Sequence, residues 1–187
     1  LSFLVFIIIL GLESARQAVA SLKKGRRIEE LEQFALNDSM TGFYNRNAYD
    51  YFIYNEKNIK NYMVVTFDLN NLKMCNDNYG HSSGDAYIIH SAHIIETTFD
   101  RFGKCYRIGG DEFCCLIPDA AEFQIERFIQ KMQQDIAILN NKNIIPTEVG
   151  IACGYALATP DDADIEKVRE RADEMMYHNK KVLKGLI

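Results

Sequence analysis

The sequence predicts an α+β domain, a mixed and mainly antiparallel sheet flanked by helices and preceded by a helical connector. Three observations carry that expectation. Short runs rich in β-branched and aromatic residues alternate with amphipathic helical runs. Two of the strand-like runs, "KCYRI" and "EFCCLIP", enclose a glycine pair as the arms of a β-hairpin do. Strand-helix units interrupted by a hairpin suit an α+β sheet rather than a purely parallel one. The chain of 187 residues is 48% hydrophobic and 25% charged, enough to bury a sizeable core without disulfides or structural metals.

The chain opens on "LSFLVFIIILGL" (1–12), an almost wholly apolar run. It is shorter than the roughly 20 residues that span a bilayer. Arg16, Lys23, Lys24, Arg26 and Arg27 follow it, which is the pattern of a cytoplasmic flank and the reverse of a signal peptide. Residues 1–12 are therefore expected to end a transmembrane helix, with the rest at the inner membrane's cytoplasmic side. Residues 13–36 read as one helix. Small or apolar Ala15, Ala18, Leu22, Ile28, Leu31 and Ala35 form a short seam, interrupted near Gly25, like a coiled-coil connector.

The globular part, 37–187, begins with the loop-like "NDSMTGFYNRN", and its core begins near residue 60. The expected elements are then a helix at "AYDYFIYNEK", a strand at 62–69, and a polar, turn-like stretch with at most one helical turn. A helix at 85–99, the hairpin, a helix at "AAEFQIERFIQKMQQDIAIL", a strand at "EVGIACGYALA" and a final helix complete the order. There are no repeats or low-complexity tracts.

A net charge of −5 argues against a nucleic-acid-coating protein but leaves room for a small nucleotide held by local cations. The five cysteines are odd in number and lack metal-ligand spacing, so they read as reduced and structural. Cys114 and Cys115, adjacent in a strand, should point to opposite faces.

Carboxylates carry the chemistry. Asp68 ends an apolar strand, and strand ends are frequent ligand sites. Asp111 and Glu112 follow Gly109 and Gly110 in the hairpin turn. If the two strands are neighbours, Asp68 and Asp111 meet at one end of the sheet. Two carboxylates and a main-chain carbonyl suit Mg²⁺, and glycines allow backbone to approach a phosphate. A plain turn with solvated acids is the competing reading. Between the two acids lie Lys73, Asn76, Asp77, His81 and Asp85. A carboxylate at 85 and an amide at 76 have the donors and acceptors that guanine requires, and Lys73 can neutralise phosphate. Asp85 as a helix cap, Asn76 and Asp77 as turn residues, and His81 as a structural histidine are the alternatives.

Four blocks in order, "NDSMTGFYNR" (37–46), "FDLNNLKMCNDNYGHSSGD" (67–85), "YRIGGDEF" (106–113) and "ADEMMYHNKK" (172–181), resemble the GGDEF domain of diguanylate cyclases. The resemblance implies a palm-like fold, as in nucleotidyl cyclases, and condensation of two GTP into cyclic di-GMP with release of two pyrophosphates. It implies Mg²⁺, with Mn²⁺ as a substitute, held by Asp68, the carbonyl of Leu69 and Asp111. Asp111 would deprotonate the 3′-hydroxyl with Glu112 assisting. Asn76 and Asp85 would recognise guanine. Lys73, His81, Gly109, Gly110, Lys180 and Lys184 complete the substrate-binding set. One GTP per domain implies a homodimer, joined through the N-terminal helix and the catalytic faces.

The sequence also departs from the family pattern. Leu183 and Lys184 stand where Gly-Arg is usual, which removes a bidentate phosphate fork. Met40 and Phe43 replace leucines, a packing change. The Arg-x-x-Asp product-inhibition pair is absent, Asp100 and Gly103 standing in its place, so no inhibition of that type is expected. A degenerate, GTP-binding regulatory or scaffold module is the alternative function.

Overall fold

The structure, a computed structural model, describes residues 11, 13–14, 16–17, 19–24, 27, 34–56 and 60–183. The chain divides into two compact units, Leu1–Leu36 and Asn37–Ile187. In the first unit every described residue is helical. The apolar run at 1–12, apart from Gly11, and the seam positions Ala15, Ala18, Ile28 and Leu31 lie outside the described residues. Among the described residues no helix is long and apolar enough to cross a membrane.

The second unit runs α1 (Arg46–Asn55), β1 (Met63–Asn70), α2 (Leu72–Tyr79), α3 (His81–Phe99), β2 (Lys104–Arg107), β3 (Glu112–Ile117), α4 (Ile125–Asn141), β4 (Gly150–Leu157) and α5 (Ile165–Leu183). The sheet order is β2-β3-β1-β4, and each neighbouring pair is antiparallel. The sheet is thus antiparallel throughout, where a mixed but mainly antiparallel one was expected. The hairpin's second arm inserts beside β1, so β1 and β2, which run in the same direction, never pair. The parallel element is a single bridge between Tyr44 and Tyr106.

All eight residues of β1 are buried, because helices cover both faces of the sheet. Side chains alternate between the two faces. Val65, Phe67 and Leu69 join Ile88, Ile95 and Phe99 of α3 and Met132 and Ile136 of α4 in the larger core. Val64 joins Tyr49 of α1 and Val168 and Ala172 of α5 in the smaller one. Cys115 belongs to the first core and Cys114 to the second, on opposite faces as expected. All five cysteines are free and buried. Phe43 is buried against Phe113, edge to face at 5.7 Å. Met40 is 36% exposed, so the packing account of its substitution fits Phe43 alone.

Residues 70–84 correct the sequence reading. They form an eight-residue helix, α2, and the first turn of α3, which starts at His81 rather than Asp85. Only Leu72 and Cys75 of α2 are buried, too few apolar positions to advertise a helix in sequence. Asn71, at φ 62°, and Gly80, at φ 82°, bend the chain into and out of α2.

The last helix lies unusually close to the sheet. A Cβ on Gly154 of β4 would sit 2.2 Å from both the Ala172 carbonyl oxygen and the Met176 amide nitrogen. Asn179 donates from Nδ2 to the Cys153 carbonyl at 2.7 Å. These contacts fix the end of α5 over the end of β1.

Candidate active site

Strand pairing alone brings the two predicted acids together. Asp68 lies opposite Glu112 in the β1–β3 register, and the Leu69 amide donates to the Asp111 carbonyl at 3.0 Å. The Ile108 and Gly109 amides close the turn on the Glu112 carbonyl, at 3.0 and 3.3 Å. Asp68 is 8% exposed, and a carboxylate that buried requires a partner. Lys180, from α5, supplies it, with Nζ 2.6 Å from Oδ1.

Neither Gly109 nor Gly110 has a positive φ, so the turn does not need glycine for its backbone conformation. A Cβ on Gly110 would meet nothing within 4 Å, and one on Gly109 would meet only the Glu112 side chain. Gly110 thus leaves open space beside Asp111, and Gly109 leaves room for the Glu112 side chain.

A cleft of about 450 Å³ opens there, lined by Leu69, Asn71, Lys73, Asp77, Asp111 and Lys180 among others. The structure therefore gathers Lys73, Asp111 and Lys180 at one cleft, with Asp68 beneath Lys180. Asn76 does not line it. A Cβ on Gly84 would lie 1.9 Å from Asn76 Oδ1, so the Asn76 side chain rests on the first turn of α3 at Gly84. Asp85 and His81 are exposed on α3. Because Gly80 precedes that helix, Asp85 is not its cap, and Asn76 and Asp77 are helical rather than turn residues. Glu112 is exposed and borders a separate cavity of about 270 Å³ with Asp173 and Arg169. Burial raises the Asp173 carboxyl above its ordinary value, against the opposing charge of Arg169. Lys184 lies outside the described residues.

Three supports of the site were missed in the sequence. Arg107, at the end of β2, donates from Nη2 to the Gly110 carbonyl at 2.8 Å and from Nη1 to Asp38 Oδ1 at 3.1 Å. Asp38 in turn accepts from the Thr41 amide and hydroxyl at 2.9 and 2.7 Å. Partial burial pushes the Asp38 carboxyl up, but the hydrogen bonds from Thr41 and Arg107 outweigh it and hold the group below its ordinary value. Gly84 makes room for Asn76. Tyr87 of α3, fully buried, accepts from the Gly150 amide at 2.7 Å and donates to the Asn70 carbonyl at 2.6 Å, pinning the ends of β1 and β4. Burial pushes its hydroxyl up to about 12. A tyrosine among the apolar residues of a helix was the one available signal for it.

The donor set suits a hard divalent cation. Asp68 and Asp111 carboxylates and the Leu69 carbonyl are all oxygens, and the Lys180 ammonium already stands against Asp68 as a cation. Among the described residues no group of three or more His, Cys, Asp or Glu is placed to hold a metal. A site with few protein ligands fits Mg²⁺, which keeps waters and substrate oxygens in its shell.

An antiparallel sheet with helices on both faces, its central strand carrying a buried aspartate near its end beside a glycine turn, is the α+β class that the sequence led us to expect. The sequence matches the family described as "Diguanylate cyclase, GGDEF domain" over residues 35–184, and the chain belongs to that family. It is 31% identical over 157 residues to the diguanylate cyclase DgcN of Escherichia coli, covering 81% of this chain and 38% of that protein. It is 26% identical over 168 residues to the diguanylate cyclase DgcS of Shewanella oneidensis, covering 85% of this chain and 54% of that one. The chain thus spans about half the length of these relatives or less. The fold resembles the coiled coil and GGDEF domain of DgcB from Caulobacter crescentus, solved with c-di-GMP, at a TM-score of 0.75 and 23% identity, covering 90% of this chain and 94% of that one.

Proposed function

We propose that this domain condenses two GTP molecules into cyclic di-GMP, releasing two pyrophosphates, as a homodimer with one GTP per domain. The observation that carries the reading is the convergence of Asp111, Lys73 and Lys180 on one open cleft, with Asp68 held against Lys180. Asp68, the Leu69 carbonyl and Asp111 would hold Mg²⁺, which when bound neutralises triphosphate charge and acidifies the attacking hydroxyl. Asp111 accepts the 3′-hydroxyl proton, and Glu112 assists beside it. Lys73 and Lys180 neutralise the departing pyrophosphate, a step in which the protein supplies mainly position and charge. Asn76 and Asp85 read the guanine edge from adjoining helical turns. In this reading the domain works in the cytoplasm, tethered through residues 1–12, which rests on the basic flank that follows them.

The reading carries no product inhibition of the Arg-x-x-Asp type, because Asp100 and Gly103 stand at the two positions; a Cβ at Gly103 would lie 2.2 Å from the Leu116 carbonyl oxygen.

The test is product formation from GTP and Mg²⁺ by the dimerised chain, with Asp111→Asn as control. Cyclic di-GMP from the parent and none from the variant is the expected result. GTP binding without turnover in the dimerised parent would favour the regulatory-module alternative.

A further inference from the structure

Lys180 is read above as a phosphate contact, yet in the structure its ammonium lies on a carboxylate. Its Nζ is 2.6 Å from Asp68 Oδ1, with the side chains only 25% and 12% exposed. The helix end that carries it is held by the Asn179 bond to Cys153 and by the close approach at Gly154. Lys180 also borders the cleft that Lys73 and Asp111 line, so a phosphate in that cleft is within its neighbourhood.

A divalent cation seeking Asp68 therefore meets a like charge already in place. Arriving alone, it must expel the ammonium from a half-buried position and leave it without a counter-ion, which is unfavourable. Arriving with a triphosphate, it brings the replacement partner along. The ammonium then exchanges one anion for another, and the site's charge stays balanced at each stage.

We propose that Lys180 is a placeholder cation: it neutralises Asp68 until a metal–triphosphate complex enters, then passes to a phosphate oxygen. Metal and nucleotide thereby bind with positive coupling, each improving the other's affinity by the same factor. This inference rests on the assignment of Asp68 as a metal ligand.

The experiment is a titration of the full chain with Mn²⁺, following free Mn²⁺ by electron paramagnetic resonance, with and without a non-hydrolysable GTP analogue. Lys180→Met removes the charge, Lys180→Gln does so with a polar end, and Lys180→Arg keeps it. Without nucleotide, the Met and Gln variants are expected to bind Mn²⁺ about tenfold more tightly than the parent, and the Arg variant to match the parent. With the analogue, the parent's Mn²⁺ affinity rises by about tenfold or more, and that gain shrinks in both neutral variants. Nucleotide-free Mn²⁺ affinity that is unchanged or weaker in both neutral variants overturns the placeholder role. Mn²⁺ binding that survives Asp68→Asn overturns the metal assignment itself, so the two failures are separable.

Discussion

Arg107 and Asp38, sixty-nine positions apart, form an ion pair at 3.1 Å whose guanidinium also holds the Gly110 carbonyl at 2.8 Å. The loop that opens the domain is thereby fastened to the turn that carries Asp111. Only 11% of the Arg107 side chain is exposed, so this is a supported joint rather than a loose surface pair, and it couples the loop's position to the acids.

Arg107→Lys keeps the charge but not the fork, and one ammonium cannot serve both partners with the same geometry. The substitution is expected to lower unfolding stability by about 1–3 kcal/mol, the scale of hydrogen bonds to charged groups. Urea unfolding measures it. A double-mutant cycle with Asp38→Asn should return a coupling energy well above zero.

The same joint makes stability depend on acid. The Asp38 carboxyl sits below its ordinary value of 3.8 when folded. A depressed pKa contributes stability above the unfolded value, and that contribution is lost as pH falls through the folded one. Unfolding free energy of the parent should therefore drop below about pH 4 more steeply than that of Asp38→Asn. Parallel profiles would remove the joint's electrostatic role.

Gly84→Ala separates stability from recognition. Alanine gains about 1 kcal/mol over glycine within a helix. Its Cβ, however, would strike Asn76 Oδ1 at 1.9 Å and turn that amide away from its place against Gly84. Thermal stability should hold or rise while KM for GTP increases by about tenfold and kcat changes little, the pattern of lost uniform binding. Steady-state kinetics decide it.

Tyr87→Phe deletes one hydroxyl that accepts from Gly150 and donates to Asn70. Both backbone groups lose a partner in a buried place, so the expected cost is about 1–3 kcal/mol. With its hydroxyl pushed up to about 12, Tyr87 stays a donor across the working pH range. Hydrogen exchange at the Gly150 amide should accelerate in the variant.

The pairing of Asp68 with the hairpin turn was legible because both halves leave local marks: an acid closing an apolar strand, and a glycine pair between two strands. The joint between Arg107 and Asp38 left none, since each residue had a sufficient local account in its own segment. Lys180 and Asp68 are 112 positions apart, and only the close seating of α5 on Gly154 brings them together. Helix α2 was hidden because it rests on two buried residues, Leu72 and Cys75. The sheet's fully antiparallel pairing was obscured by β1-helix-β2, a sequence that resembles a crossover until β3 is seen to separate the two strands.

The alternation along β1 has a last consequence. Asp68 meets Lys180 of α5, whereas its neighbour Leu69 belongs to the core covered by α3 and α4. Sliding β1 by a single residue would exchange them, burying the acid in oil and setting leucine against Lys180. A chain zipped one step out of place would be mute rather than mistaken. Turnover by the proposed reaction would thus double as a certificate that the central strand has been threaded correctly.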